Sequence, residues 1–287
     1  MITATRSAAT LLTSASIADL AVAAIRAEAD LTPKPGLVDQ RGSGAHTDMD
    51  LAMLHASAES LRTGFAECAT AAMQLAPGCE LRARLGEIGR TGERAMLAAT
   101  GGVNTHRGAL WALGLLSAGA ARGGGLAGAV DVGARLAAIP DRHTTAAPKS
   151  HGAHARLRYG VSGAAGEAQA GFPHVRLHAL PALRAARRSG ADEPTARLEA
   201  LLSLMATLDD TCVLHRGGSA GLRALQAGAQ AVANAGGFRT AEGRRCFTAL
   251  DDMCRTRRLS PGGSGDLLSA TLFLDTLDEG AAQPCRP

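Results

Sequence analysis

The stretch Leu51-Ala-Met-Leu-His-Ala-Ser-Ala-Glu-Ser-Leu-Arg-Thr-Gly-Phe-Ala-Glu-Cys-Ala-Thr-Ala-Ala72 decides the fold class. Its apolar positions Leu51, Leu54, Ala58, Leu61, Phe65, Cys68 and Ala72 recur in alternating steps of three and four. That is the period of one face of an α-helix, not the two-residue alternation of a half-buried strand. Thr47 with Asp50 just ahead reads as a capping box. Working outward, Ser16 with Asp19 opens a helix to about Asp30 in the same way. Further helices are predicted over 80–99, 105–121, 126–139, 174–188, 194–209, 218–235, 241–257 and 265–277. The helix over 194–209 aligns Leu198, Leu201, Leu202, Met205 and Leu208. The last is apolar almost all round from Leu267 to Leu274, which predicts a central, buried helix.

Composition agrees with this pattern. The chain has 61 Ala and 37 Leu against 9 Val and 5 Ile, and aromatics make up 2%. Strands favour β-branched and aromatic residues, so a large sheet is excluded. A chain of this length buries roughly three quarters of its unfolded surface without staples. No repeat, long linker or low-complexity tail divides it. The expectation is an all-α, single-domain multi-helix bundle over 1–287, with 1–15 and 278–287 peripheral.

The net charge of +4 comes from 30 basic and 26 acidic residues, and only Lys34 and Lys149 are lysines. No basic block carries interleaved aromatics, so a nucleic-acid partner is not expected. The mild excess suits a multiply anionic small molecule. The six cysteines form no Cys-x-x-Cys pair and no zinc spacing, so reduced thiols are expected. Near Arg6, the N-terminal apolar stretch is broken by Thr13, Ser14, Ser16 and Asp19, which argues against a signal peptide. The uncharged run from Gly108 to Ala121 is too short to span a bilayer. These readings predict a cytoplasmic protein with no membrane partner.

The loops hold more Gly, Asp, His and Ser than connection needs. Five stretches stand out: 32–39, 43–50, 100–108, 209–218 and 259–267, with a weaker sixth over 163–173. Asp48 and Asp50 fall in the first turn of a helix, where capping and dipole complementation compete with a catalytic reading. Asp209 and Asp210 close the 194–209 helix at its negative end, where each acid costs ~0.3–1 kcal/mol. A site that accepts that cost suits a hard cation such as magnesium; the competing reading is a solvated helix end beside Arg216. Gly101-Gly102, Gly217-Gly218 and Gly262-Gly263 place free N–H groups ahead of helices, a geometry that binds phosphate but also serves ordinary hinges. Together these features suggest a polyphosphate–magnesium site built from loops and helix termini at one end of the bundle. No nucleophile elbow, Walker loop or His-Glu-x-x-His is present, which disfavours serine hydrolases, P-loop enzymes and zincins.

The motifs Pro33-Lys34-Pro35-Gly36-Leu37-Val38-Asp39, Ser43-Gly44-Ala45-His46 with Asp48-Met49-Asp50, Gly101-Gly102-Val103-Asn104-Thr105-His106, Asp210-Thr211 with Leu214-His215-Arg216-Gly217-Gly218, and Ser260-Pro261-Gly262-Gly263-Ser264 with Asp266-Leu267-Leu268 resemble the triphosphoribosyl-dephospho-CoA synthase family. They occur in the family's order from about Ile17 to Leu274. Arg107 stands where Lys is expected, Gly42 where Asn is, and Gly265 where Ala is commoner.

The resemblance implies attack on ribose C1 of ATP by the 2′-hydroxyl of 3′-dephospho-CoA, with adenine leaving. The product is the precursor of an acyl-carrier-protein prosthetic group. A holo-acyl-carrier-protein synthase would use it on a carrier subunit of malonate decarboxylase or citrate lyase, and composition leans towards malonate decarboxylase. The α linkage implies inversion in one displacement, with a base for the hydroxyl and a donor for adenine. Asp48, Asp50, Asp209, Asp210 and Asp266 become magnesium candidates. Asp48, Asp50, Asp210 and Glu167 become acid–base candidates. Lys34, Arg107, Arg216 and Ser264 are assigned to the triphosphate. Ser43, His46, Asn104, Thr105, His106, His215, Gly217, Gly218, Gly262 and Gly263 complete the substrate-binding set. The competing readings are a magnesium-dependent ADP-ribosyl hydrolase and a non-catalytic nucleotide-binding escort for the carrier protein.

Overall fold

Thr13 lies in the extended region, and its hydroxyl accepts the Ser16 N–H at 3.1 Å. The first helix therefore starts three residues before the predicted box. The computed structural model describes residues 12–142 and 151–282, so Arg6, Lys149 and Cys285 lie outside the described residues. Among the described residues there is no β-strand, only an isolated bridge between Asp39 and Gly42. The architecture is all-α. The helices are α1 (Ser14–Ala29), α2 (Leu51–Ser60), α3 (Arg62–Gln74), α4 (Cys79–Ala99), α5 (Arg107–Ala120), α6 (Gly125–Ala138), α7 (His151–Tyr159) and α8 (Gly163–Gln169). They continue with α9 (Leu180–Arg188), α10 (Glu193–Thr207), α11 (Thr211–Asn234), α12 (Ala241–Thr256) and α13 (Gly262–Ala282).

The deciding stretch forms two helices rather than one. Asp50, not Thr47, is the cap: its Oδ1 accepts the Met53 N–H at 2.8 Å. At the other end of α2, the Ser60 hydroxyl donates to the Ser57 carbonyl at 2.7 Å, and the chain turns at Leu61 before α3. Such local side-chain bonds compete with the helical ladder. The apolar stripe survives the turn, because Leu54, Ala58, Leu61, Phe65, Cys68 and Ala72 are all buried.

Helix α13 is central, as its pattern predicts. It packs against α1, α5, α6, α10 and α11, and Leu268, Ala270, Phe273 and Leu274 are fully buried. Its buried hydroxyls Ser269 and Thr271 donate to carbonyls four residues back, so none is stranded in the core. Helices α5 and α6 touch through Gly119, where a Cβ would lie 2.3 Å from the Ala129 carbonyl oxygen. A glycine is what allows that backbone approach.

Two boundaries differ in ways that matter for the site. Helix α10 ends at Thr207, so Asp209 and Asp210 do not close it; Asp210 instead caps α11, at a positive helix end. The His215-Arg216-Gly217-Gly218 segment lies within α11, which is two helical stretches meeting at Gly218, so a glycine break does precede the longer stretch, as predicted. Gly218 (φ 60°, ψ −167°) kinks α11 there, a conformation that side-chain-bearing residues avoid. The 174–188 segment opens with a π-turn over Val175–Ala179, upstream of Pro181, which has no N–H to continue an α ladder. Helices α7 and α8 are not predicted by periodicity, being short and poor in large apolar residues.

Candidate active site at one end of the bundle

The starts of α5, α11 and α13 meet at one end of the molecule, joined by two carboxylates. Asp210 Oδ1 accepts the N–H groups of Cys212 (2.9 Å) and Val213 (3.3 Å) at the start of α11. Its Oδ2 accepts the Ser264 N–H at 2.8 Å and the Ser264 hydroxyl at 3.1 Å at the start of α13. Asp266, in the first turn of α13, packs on the first turn of α5, where a Cβ on Gly108 would lie 2.0 Å from its Oδ2. Burial pushes both carboxyls up from the ordinary carboxylate range, Asp266 well above it. Helix N-termini need acceptors for their free N–H groups, and Asp210 supplies them to both α11 and α13. Gly263 belongs to the same contact, since a Cβ there would lie 3.1 Å from the Asp210 carboxylate. The Ser264 N–H and hydroxyl therefore serve Asp210 rather than lying open to phosphate, which corrects the reading of the 262–264 turn.

Lys34 is corrected more sharply. It is only 1% exposed, and its Nζ donates to Glu28 Oε1 (2.8 Å), the Glu28 carbonyl (2.6 Å) and the Ala29 carbonyl (3.2 Å). All three ammonium donors are used, two of them on the last carbonyls of α1. The Pro33–Pro35 loop turns the lysine into the protein and away from solvent. Arg41 completes the loop, bridging Asp39 (2.7 Å) and Asp251 (2.8 Å).

His106 is also internal. Its Nδ1 lies 2.8 Å from the Ser57 hydroxyl, which meets the Thr105 hydroxyl at 2.6 Å. Burial holds its pKa down at about 4, with Lys34 and His55 adding to the effect and Glu28 opposing it. The ring is neutral at neutral pH.

The remaining candidates are exposed or half-buried. Asn104 is exposed and its side-chain oxygen accepts the Arg107 N–H at 3.3 Å. The Arg107 guanidinium pairs with Glu93, while its buried Nε–H has no hydrogen-bond partner. His215 and Arg216 are exposed on the first turns of α11. Ser43 is half-buried, and its carbonyl accepts the His46 N–H at 2.9 Å. His46 joins three segments, lying 2.7 Å from the Ser260 hydroxyl, 3.2 Å from Arg216 Nη2 and 3.4 Å from Asp48 Oδ1. Burial and then Arg216 lower its pKa, against the pull of Asp48.

Glu167 is engaged by His174. It is buried, and its two oxygens accept the His174 backbone N–H (2.9 Å) and meet His174 Nδ1 (2.7 Å). That carboxylate raises the His174 pKa, with Thr207 and Asp209 contributing. Sequence reasoning missed His174, Ser57, Glu28 and Ser260. Only Ser260 lay within one of the prominent stretches, and serine carries no signal of its role without its partner.

The acids do not build a metal cage. Among the described residues, no group of three or more His, Cys, Asp or Glu side chains is gathered to hold an ion. Asp210 is saturated by helix N–H groups, whereas Asp48, Asp50 and Asp209 are exposed.

Comparison with known proteins defines the class: the chain is a transferase. The family model described as ATP:dephospho-CoA triphosphoribosyl transferase matches residues 14–285. A protein of Stutzerimonas stutzeri (strain A1501) named "Probable 2-(5''-triphosphoribosyl)-3'-dephosphocoenzyme-A synthase" is 54% identical over 274 residues, covering 93% of each chain. A protein of the same name from Pseudomonas fluorescens (strain Pf-5) is 55% identical over 270 residues, covering 93% of this chain and 92% of its own. Another from Azotobacter vinelandii is 54% identical over 265 residues, covering 91% of each. No solved structure matches. The chain belongs to the ATP:dephospho-CoA triphosphoribosyl transferase family.

Proposed function

We propose that this chain makes 2′-(5″-triphosphoribosyl)-3′-dephospho-CoA from ATP and 3′-dephospho-CoA, releasing adenine. The observation that carries the reading is the family match over nearly the whole chain together with the motifs gathered around three helix N-termini. Arg216 and Arg107 are assigned to the triphosphate, supported by the exposure of Arg216 and by the half-buried place of Arg107 at the start of α5. Anchoring a non-reacting triphosphate supplies binding energy that aligns C1 with the incoming hydroxyl. Asp48 is assigned as the base for that hydroxyl, because Asp210 and Glu167 have both oxygens committed.

Magnesium fits this donor set as a companion of the triphosphate. It keeps several waters and takes one or two carboxylates beside phosphate oxygens, not a full protein cage. Asp50 and Asp209 would hold it, and it would offset phosphate charge. The product would pass to a holo-acyl-carrier-protein synthase serving, on our reading, malonate decarboxylase rather than citrate lyase. A cytoplasmic setting suits these substrates, and among the described residues no helix is long and apolar enough to cross a membrane.

Purified protein incubated with magnesium, ATP and dephospho-CoA should release adenine only when both substrates are present, with a product of the combined mass less adenine. Adenine release from ATP alone at the same rate would contradict the transfer. Chelator should stop turnover while leaving the melting temperature unchanged. Comparing the two carrier subunits as final acceptors decides the pathway.

A further inference from the structure

We propose that Ser260, acting through His46, holds Arg216 in place to receive the triphosphate, which makes Ser260 a positioning residue. The proposal rests on the assignment of Arg216 to the triphosphate made above. Arginine has donors only, so the Arg216 Nη2 contact to His46 Nδ1 at 3.2 Å requires a lone pair on that nitrogen. The neutral ring then carries its proton on Nε2 and donates it to the Ser260 hydroxyl oxygen at 2.7 Å. Asp48 Oδ1 approaches the same Nδ1 at 3.4 Å, a longer contact than that of the guanidinium, so the two compete for this nitrogen.

The far end of this chain is fixed. Ser260 is 2% exposed and follows the buried Leu259, whose side chain fills the space a Cβ on Gly217 would need, 2.5 Å away. Two residues later the central helix α13 begins. An exposed, flexible arginine is thereby tied through one ring to the rigid start of α13. Arg41 and Arg107 are held by carboxylates. Arg216 is held by a neutral ring, which orients its guanidinium without neutralising it. Orienting a side chain before binding removes part of the entropy that binding would otherwise lose.

The test uses the full chain with magnesium-ATP and dephospho-CoA, reading KM for each substrate, kcat, ATP affinity by calorimetry and the thermal melt. Ser260→Ala should raise KM for ATP roughly two- to tenfold, the scale of one hydrogen bond, with smaller changes in kcat and in KM for dephospho-CoA. Arg216→Ala should raise it at least as much. The double variant should be no worse than Arg216→Ala alone, because the serine acts through the arginine. Ser260→Thr, which keeps the hydroxyl, should restore ATP affinity. Multiplicative effects in the double variant, or equal rises in both KM values with a lowered melt, overturn the proposal and leave the Arg216 assignment standing. An unchanged KM for ATP in Arg216→Ala overturns both. If Ser260→Ala does not fold, Ser260→Cys is measured in its place and judged by the same outcomes.

Discussion

Asp210 accepts the Ser264 backbone N–H at 2.8 Å and the Ser264 hydroxyl at 3.1 Å across 54 residues of sequence. One buried carboxylate thus starts α11 and α13 together. Each lost cap costs about 0.5–2 kcal/mol, and a stranded buried N–H adds about 1–3 kcal/mol. Asp210→Ala should therefore lower stability by roughly 2–4 kcal/mol in urea titration. A change below about 0.5 kcal/mol would show that the two helices do not depend on it.

Lys34→Ala should act on stability rather than on ATP binding. It leaves the Glu28 carboxylate buried without its cation, a loss of roughly 3–5 kcal/mol for a broken buried pair. ATP affinity measured by calorimetry on folded protein should stay close to that of the parent. A selective rise in the ATP dissociation constant with an unchanged melt would return Lys34 to the substrate.

Gly263→Ala places a methyl 3.1 Å from the Asp210 carboxylate, closer than ordinary contact. Overpacking of this kind costs typically about 1–3 kcal/mol. The melt should fall, while ATP affinity in the folded fraction should fall less than in Arg216→Ala. The reverse order would mean that phosphate docks at this turn after all.

His106 sets an acid limit on stability. Its folded pKa of about 4 lies below the ordinary histidine value of 6.5, so between those pH values the unfolded chain binds the proton that the folded chain refuses. Stability therefore falls as pH drops through that window, by roughly 3 kcal/mol in all, and the histidine contributes no further loss below pH 4. Urea titrations from pH 7 to pH 4 should show this slope, and His106→Gln should flatten it. An equal slope in the variant would assign the acid sensitivity to other groups.

The sequence by itself determined the helical class, the burial of α13 and the family. Repeating steps of three and four, Ala and Leu in place of β-branched residues, and ordered motifs are local properties that survive without coordinates. The burial state and partners of the polar residues came only from the tertiary structure. Lys34 looks like a loop cation until Glu28 and the end of α1 are seen to enclose it. Asp210 looks like the end of one helix, yet it opens the next and anchors a third, because its partner Ser264 lies far along the chain. Ser260 has no visible role until His46 and Arg216 are placed beside it. A helical period depends on near neighbours in sequence. The environment of a buried charge depends on distant segments that only folding brings within hydrogen-bonding reach.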